Sequence, residues 1–161
     1  MATPTYIPLA EVTLAVTASS VTFASISQDY SDLVLVREFT STSNHSAYAR
    51  FNGDEGNNYH WVLAQIQSSV DSYSGTDNSI FGALGNTTSA GLDITQILDY
   101  SATDKHKTIL QTRSNATVLT GMLVYRWAST AEITSIISFS SSSHNFAAGS
   151  TFKLFGIHGE V

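Results

Sequence analysis

The densest collection of residues able to do chemistry is Asn52-Gly53-Asp54-Glu55-Gly56-Asn57-Asn58. Its carboxylate and amide oxygens are hard ligands of the kind calcium takes. The spacing is not that of an EF-hand loop, because no Asp-x-Asp-x-Asp-Gly run leads to a bidentate Glu, and the segment reads as a solvated turn. Five histidines, His45, His60, His106, His144 and His158, stand apart with no His-x-x-x-His or His-x-x-Glu-His pairing. A zinc site would therefore have to be assembled by the fold. The absence of cysteine removes thiol catalysis, cysteine-ligated zinc and disulfides. Serines are plentiful enough to draw triads with His and Asp on paper, yet no Gly-x-Ser-x-Gly elbow singles one out. No Gly-x-x-x-x-Gly-Lys or Gly-x-Gly-x-x-Gly run offers a phosphate cradle. The expectation is a chain with no catalytic residue, no cofactor and no bound metal.

Aromatic side chains suggest a different chemistry. Tyr59-His60-Trp61 and, separately, Tyr125 and Trp127 carry rings that can stack on sugars, with Asp54 or Asn58 supplying hydrogen bonds. Trp61 and Trp127 are the glycan-contact candidates, although rings in strands more commonly fill a core. Three sequons, Asn44-His45-Ser46, Asn86-Thr87-Thr88 and Asn115-Ala116-Thr117, match the N-glycosylation pattern, as chance allows in a chain so rich in Ser and Thr.

The elements that must position these residues are strands. Apolar residues recur with period two and are mostly Val, Ile, Thr, Tyr and Phe, which predicts strands over 11–16, 20–24, 32–39, 47–52, 79–84, 105–112, 117–127, 133–139 and 151–157. The stretch 59–68 fits a short helix or a strand and is assigned to strand. Turn formers at 27–29, 52–58, 74–78, 85–86 and 148–150 separate them at the spacing of a sandwich or barrel. Proline occurs only at Pro4 and Pro8, so an extended N-terminal arm over about residues 1–9 precedes the sheet, free or docked. No linker or composition shift divides residues 1–161. The expected architecture is all-β, a single antiparallel β-sandwich of about ten short strands, jelly-roll-like. Lys105, Lys107 and Lys153 are the only lysines available to guard its edge strands, so partner chains are expected to cover them.

Charge narrows the partners. Only 12% of the 161 residues are charged and the net charge is -6, with seven Lys and Arg scattered singly. No basic stripe exists to neutralise a phosphate backbone, so nucleic acid is not an expected partner. No apolar run approaches the ~20 residues of a membrane span, and the first residues lack the basic and apolar regions of a secretory signal. The expectation is no membrane partner and no standard secretion.

Three blocks resemble a known group: Tyr30-Ser31-Asp32-Leu33-Val34-Leu35-Val36; Arg50-Phe51-Asn52-Gly53-Asp54 followed by Asn58-Tyr59; and Phe146-Ala147-Ala148-Gly149-Ser150-Thr151-Phe152-Lys153-Leu154-Phe155-Gly156-Ile157. With the opening Thr5-Tyr6-Ile7-Pro8-Leu9, they resemble small β-rich structural proteins of tailed bacteriophages, cyanophages among them. Residues 70–91 match least well. The blocks are strand-plus-turn signatures and carry no functional motif. The resemblance implies a virion protein: a capsid decoration or cement protein on the outside of an icosahedral shell, bound to the major capsid protein and to itself as a homotrimer. On that reading Tyr6, Ile7 and Leu9 are the expected shell or subunit contacts. The alternative is a tail-fibre or baseplate module that grips host surface glycan through Trp61 and Trp127.

Overall fold

The computed structural model describes residues 5–66, 69–116, 119–140 and 144–159. Period two in the sequence becomes period two in burial: Lys107–Asn115 and Thr120–Trp127 alternate between buried and exposed along most of their length, as a half-covered pleated sheet requires. Twelve strands form: β1 (Tyr6–Thr13), β2 (Ser20–Phe23), β3 (Asp32–Phe39), β4 (His45–Phe51), β5 (Tyr59–Ile66), β6 (Val70–Asp77), β7 (Ile80–Gly85), β8 (Gly91–Leu98), β9 (Lys107–Asn115), β10 (Thr120–Trp127), β11 (Ile136–Ser140) and β12 (Thr151–Ile157). No helix occurs among the described residues.

The strands build an eight-stranded sheet in the order β1-β12-β3-β8-β9-β10-β5-β6, hereafter the large sheet, and a four-stranded sheet β2-β11-β4-β7, the small sheet. Every pairing is antiparallel. The pairing is nested: β1 lies beside β12, β2 beside β11, β3 beside β8 and β4 beside β7, while the hairpins β5–β6 and β9–β10 both join the large sheet. The two sheets pack face to face as a β-sandwich around Leu35, Phe51, Tyr59, Ile109, Trp127 and Ile136. Phe39, Phe146 and Phe152 meet edge to face at 5.3 and 4.9 Å between ring centroids. The resemblance blocks touch here: the Tyr30 ring lies directly over Gly156, where any Cβ would collide with it.

Several expectations change in detail. Residues 6–9 belong to β1, where Tyr6, Ile7 and Pro8 pair with β12 and Leu9 sits at a register shift, so that part of the arm is docked, and residues 1–4 lie outside the described residues. The stretch assigned to strand at 59–68 is a strand over Tyr59–Ile66, with 67 and 68 outside the described residues. Two strands were not expected. β6 covers most of the predicted turn at 74–78, and its sequence, Val-Asp-Ser-Tyr-Ser-Gly-Thr-Asp, shows no apolar alternation because neither face is fully covered. β8 carries an inverted pattern, with Asp93 and Thr95 buried and Leu92 and Ile94 exposed.

The lysines do not guard the edges. Lys107 is buried and donates to the carbonyls of Ala102, Lys105 and Thr130; Lys105 pairs with Asp99 in a loop; Lys153 is one strand in from the edge, paired with Glu11 at 3.0 Å. The β1 edge is instead disrupted by Pro8 and a register shift between Pro8 and Ala10, which discourages further pairing.

Candidate interaction surface

The interior holds the only charge constellation that could pass for an active site among the described residues, and its geometry is structural. Arg37 on β3 and Asp93 on β8 face each other, fully buried, with Nε to Oδ1 at 2.7 Å. Arg37 also donates to the Tyr48 carbonyl at 2.9 Å. Around them, side chains from the large sheet reach the open edge of β7. Asp93 accepts from Ala83 N–H at 3.1 Å, Arg113 donates to the Gly82 carbonyl at 2.9 Å, and Asn115 donates to the Leu84 carbonyl. The Tyr125 hydroxyl accepts from Phe81 N–H at 3.1 Å and donates to the Phe81 carbonyl at 3.3 Å. β7 thus has a hydrogen-bonded partner on its free side without a fifth strand. Burial pushes the Tyr125 phenol far above its ordinary range, which keeps it neutral and able to act as both donor and acceptor. Gly82 makes the approach possible, because a Cβ there would collide with Asp93 and Arg37.

The polar loop 52–58 is equally occupied. Asn52 and Gly53 adopt left-handed φ values of 52° and 69°, and the Asn52 side chain donates to the Glu132 carbonyl at 2.7 Å and accepts from Thr134 and Ser135 N–H at 2.9 and 3.1 Å. Asp54 accepts from Gly56 N–H at 2.9 Å, from Asn58 at 3.0 Å and from the Trp127 indole at 2.6 Å. Burial works to raise the Asp54 pKa, but the bonds from Trp127, Asn58 and Gly56 together with Arg50 outweigh it, and the carboxyl lies below its ordinary value. The loop is a tied corner whose acceptors face internal donors.

That corner decides the fate of one glycan candidate. Trp127 is 2% exposed, edge-on to Phe51 at 5.4 Å, and presents no ring face to a sugar. Trp61 is half-buried, edge-on to Phe81 at 5.2 Å with Gly75 against its ring. The structure does not bring the two indoles to one surface.

The expected contact residues of the arm also separate. Tyr6 is 57% exposed, whereas Ile7 and Leu9 are half-buried. Leu9 lines a groove of about 440 Å³ between β1 and β2 with Phe23, Ile26 and Leu154.

Of the five histidines, only His45 and His144 meet, with ring centroids 5.0 Å apart on the outer side of the small sheet beside Tyr48. Burial first, and His144 second, hold the His45 imidazole below its ordinary pKa. Among the described residues no three His, Cys, Asp or Glu side chains gather as a metal site. Of the sequon asparagines, Asn115 is buried and inaccessible to modification in the folded chain.

The surface that stands out is the outer face of the large sheet. The register aligns Gln96, Leu110, Val124, Val62 and Ser74 in one row across β8, β9, β10, β5 and β6; Ile94, Thr112, Met122, Ala64 and Ser72 in the next; and Leu92, Ser114, Thr120, Ile66 and Val70 in a third. These rows contain no charged residue. Met122 is 65% exposed and Val124 48%, and Leu92, Ile94, Leu110, Val62, Ile66 and Val70 are exposed as well. Beside them lies a shallow hollow of about 540 Å³, lined by His60, Val62, Ser74, Thr108, Val124 and Arg126 among others. Sequence reading missed this face because β8 and β6 were not recognised. The signal was present as apolar residues on strands whose other face was already committed to the core. Scans of the chain against protein-family models and against curated proteins find no match.

Proposed function

We propose that the chain is a structural protein of a tailed-phage particle, carried on the outside of the icosahedral shell as a decoration or cement protein and working through packed surfaces, not catalysis. The observation that carries this reading is the charge-free apolar patch that β8, β9, β10, β5 and β6 present on the outer face of the large sheet. Monomeric proteins rarely expose contiguous apolar patches beyond a few hundred Å², and larger ones mark interaction sites.

The nested pairing supports a finer reading of the sandwich as a jelly roll. On this reading β1, β12, β3 and β8 form one layer, β2, β11, β4 and β7 the other, and the inserted hairpins β5–β6 and β9–β10 widen the first. Jelly rolls build viral capsid domains and lectins alike, and the resemblance to tailed-phage proteins favours the first use.

Shell contact is assigned to the β1 edge, with Tyr6 as the exposed anchor and Ile7 and Leu9 supporting it from within. Individually weak feet become a tight attachment when several are linked, because each bound foot raises the local concentration of the next. Binding only the assembled shell then stabilises it by mass action.

The test is the copy number per purified particle, measured against the major capsid protein by quantitative mass spectrometry. A fixed ratio near that of the shell subunits supports decoration. A few copies per particle would overturn it and favour the tail-module alternative, in which Trp61 alone remains to meet host glycan. Removing residues 1–9 would strip half of β1, so the anchor is better tested by a point change: Tyr6→Glu should lower shell occupancy about tenfold or more, a loss of ~1.4 kcal/mol or above, with an unchanged melting temperature. Full occupancy in that variant would remove Tyr6 from the contact.

A further inference from the structure

We infer that the outer face of the large sheet is an interface between two copies of this chain, packed sheet to sheet about a two-fold axis through β9, β10 and β5. The inference deepens the assembly reading above and rests on it only in taking this face to be an interface.

Three observations favour a second copy as the occupant. The first is area. The eight exposed apolar side chains of the three rows present on the order of 700 Å², and the Thr and Ser between them extend this to about the ~800 Å² per partner of a stable protein interface. The second is charge. The chain carries a net charge of -6, so two copies repel over most of their surfaces, but the rows from Leu92 to Val70 and from Gln96 to Ser74 hold no charge that would face its own kind.

The third is shape. An isologous interface needs a surface that complements itself, and here a projecting side chain and a hollow share one face. Met122 stands in the row next to the hollow lined by Val124, Val62, Thr108 and Ser74, with His60 and Arg126 at its far side. A two-fold axis between these rows places each copy's Met122 over the other's hollow, with the flexible thioether adapting to it. Twisted sheets pack in this way about 10 Å apart with strands crossing near 30°. The geometry closes at two copies; a ring of three would need this face to meet a different one.

The purified full-length chain should show concentration-dependent association in analytical ultracentrifugation, saturating at twice the monomer mass. Val124→Glu and Met122→Glu should each weaken association by on the order of a hundredfold or more. Both positions face outward, so their melting temperatures when monomeric should match one another and that of the control Thr22→Glu, which places a charge on the outer face of the small sheet and should leave association intact.

A wild-type chain that stays monomeric, a saturating mass of three copies, or a dimer that survives Val124→Glu would each overturn the inference. The same variants scored for shell occupancy separate the two ideas. A monomeric wild type whose occupancy is lost in Val124→Glu assigns the face to a shell protein, leaving decoration standing and the two-fold pair refuted. A dimer with no particle association refutes decoration and leaves the pair.

Discussion

At the scale of single residues, this chain spends its polar chemistry on tying the backbone. Asp54 is the plainest case. Its folded-state pKa lies below the ordinary value of 3.8, so the carboxylate contributes stability that is fully present above that value and is lost as pH falls through the lower folded value. Asp54→Asn should destabilise the chain by about 1–3 kcal/mol at neutral pH, through a weaker acceptor for the Trp127 indole. The difference from wild type should shrink in acid, a trend readable from thermal melts across that range. A difference independent of pH would mean the carboxylate charge plays no part. The turn around Asp54 was legible in sequence from Asn52-Gly53 and its polar neighbours. Its attachment to Trp127 was not, because the two residues are 73 positions apart and only the register of β5 against β10 brings them together. For the same reason the indole looked like a sugar platform.

At the scale of elements, β7 is the instructive strand. An edge strand normally protects itself by its own sequence, but β7 is protected by residues standing on β8, β9 and β10. Breaking this arrangement from either side should be expensive. Arg37→Met leaves the Asp93 carboxylate buried without its cation and should cost about 3–5 kcal/mol, whereas Tyr125→Phe leaves the Phe81 N–H and carbonyl without partners and should cost about 1–3 kcal/mol. Denaturant titration of both variants checks the order. Equal effects, or a larger loss for Tyr125→Phe, would contradict the account. The inward polar residues that protect β7 also hid β8 from the periodic reading, since a strand with Asp93 and Thr95 inside and Leu92 and Ile94 outside mimics a loop with scattered apolar residues. β3 was legible from its continuous apolar run Leu33-Val34-Leu35-Val36, and β10 from Leu123, Tyr125 and Trp127 recurring at every second position.

At the scale of the whole molecule, low charge and an apolar outer face belong to one design. With only 12% of its residues charged, the chain leaves three outer rows over β8, β9, β10, β5 and β6 that hold no charge. The nested pairing has a further consequence, for synthesis. β12 lies between β1 and β3 in the large sheet, so a chain emerging from the ribosome holds β1 without a neighbour until residues 151–157 are made, and completion must await contacts across nearly the whole sequence, which slows folding. A nascent chain halted before residue 151 should therefore remain open to protease at β1 and β3, while one that has released β12 should become resistant in a single step. Protection arriving gradually, strand by strand, would mean that the sheet grows from its middle and that β12 merely seals it.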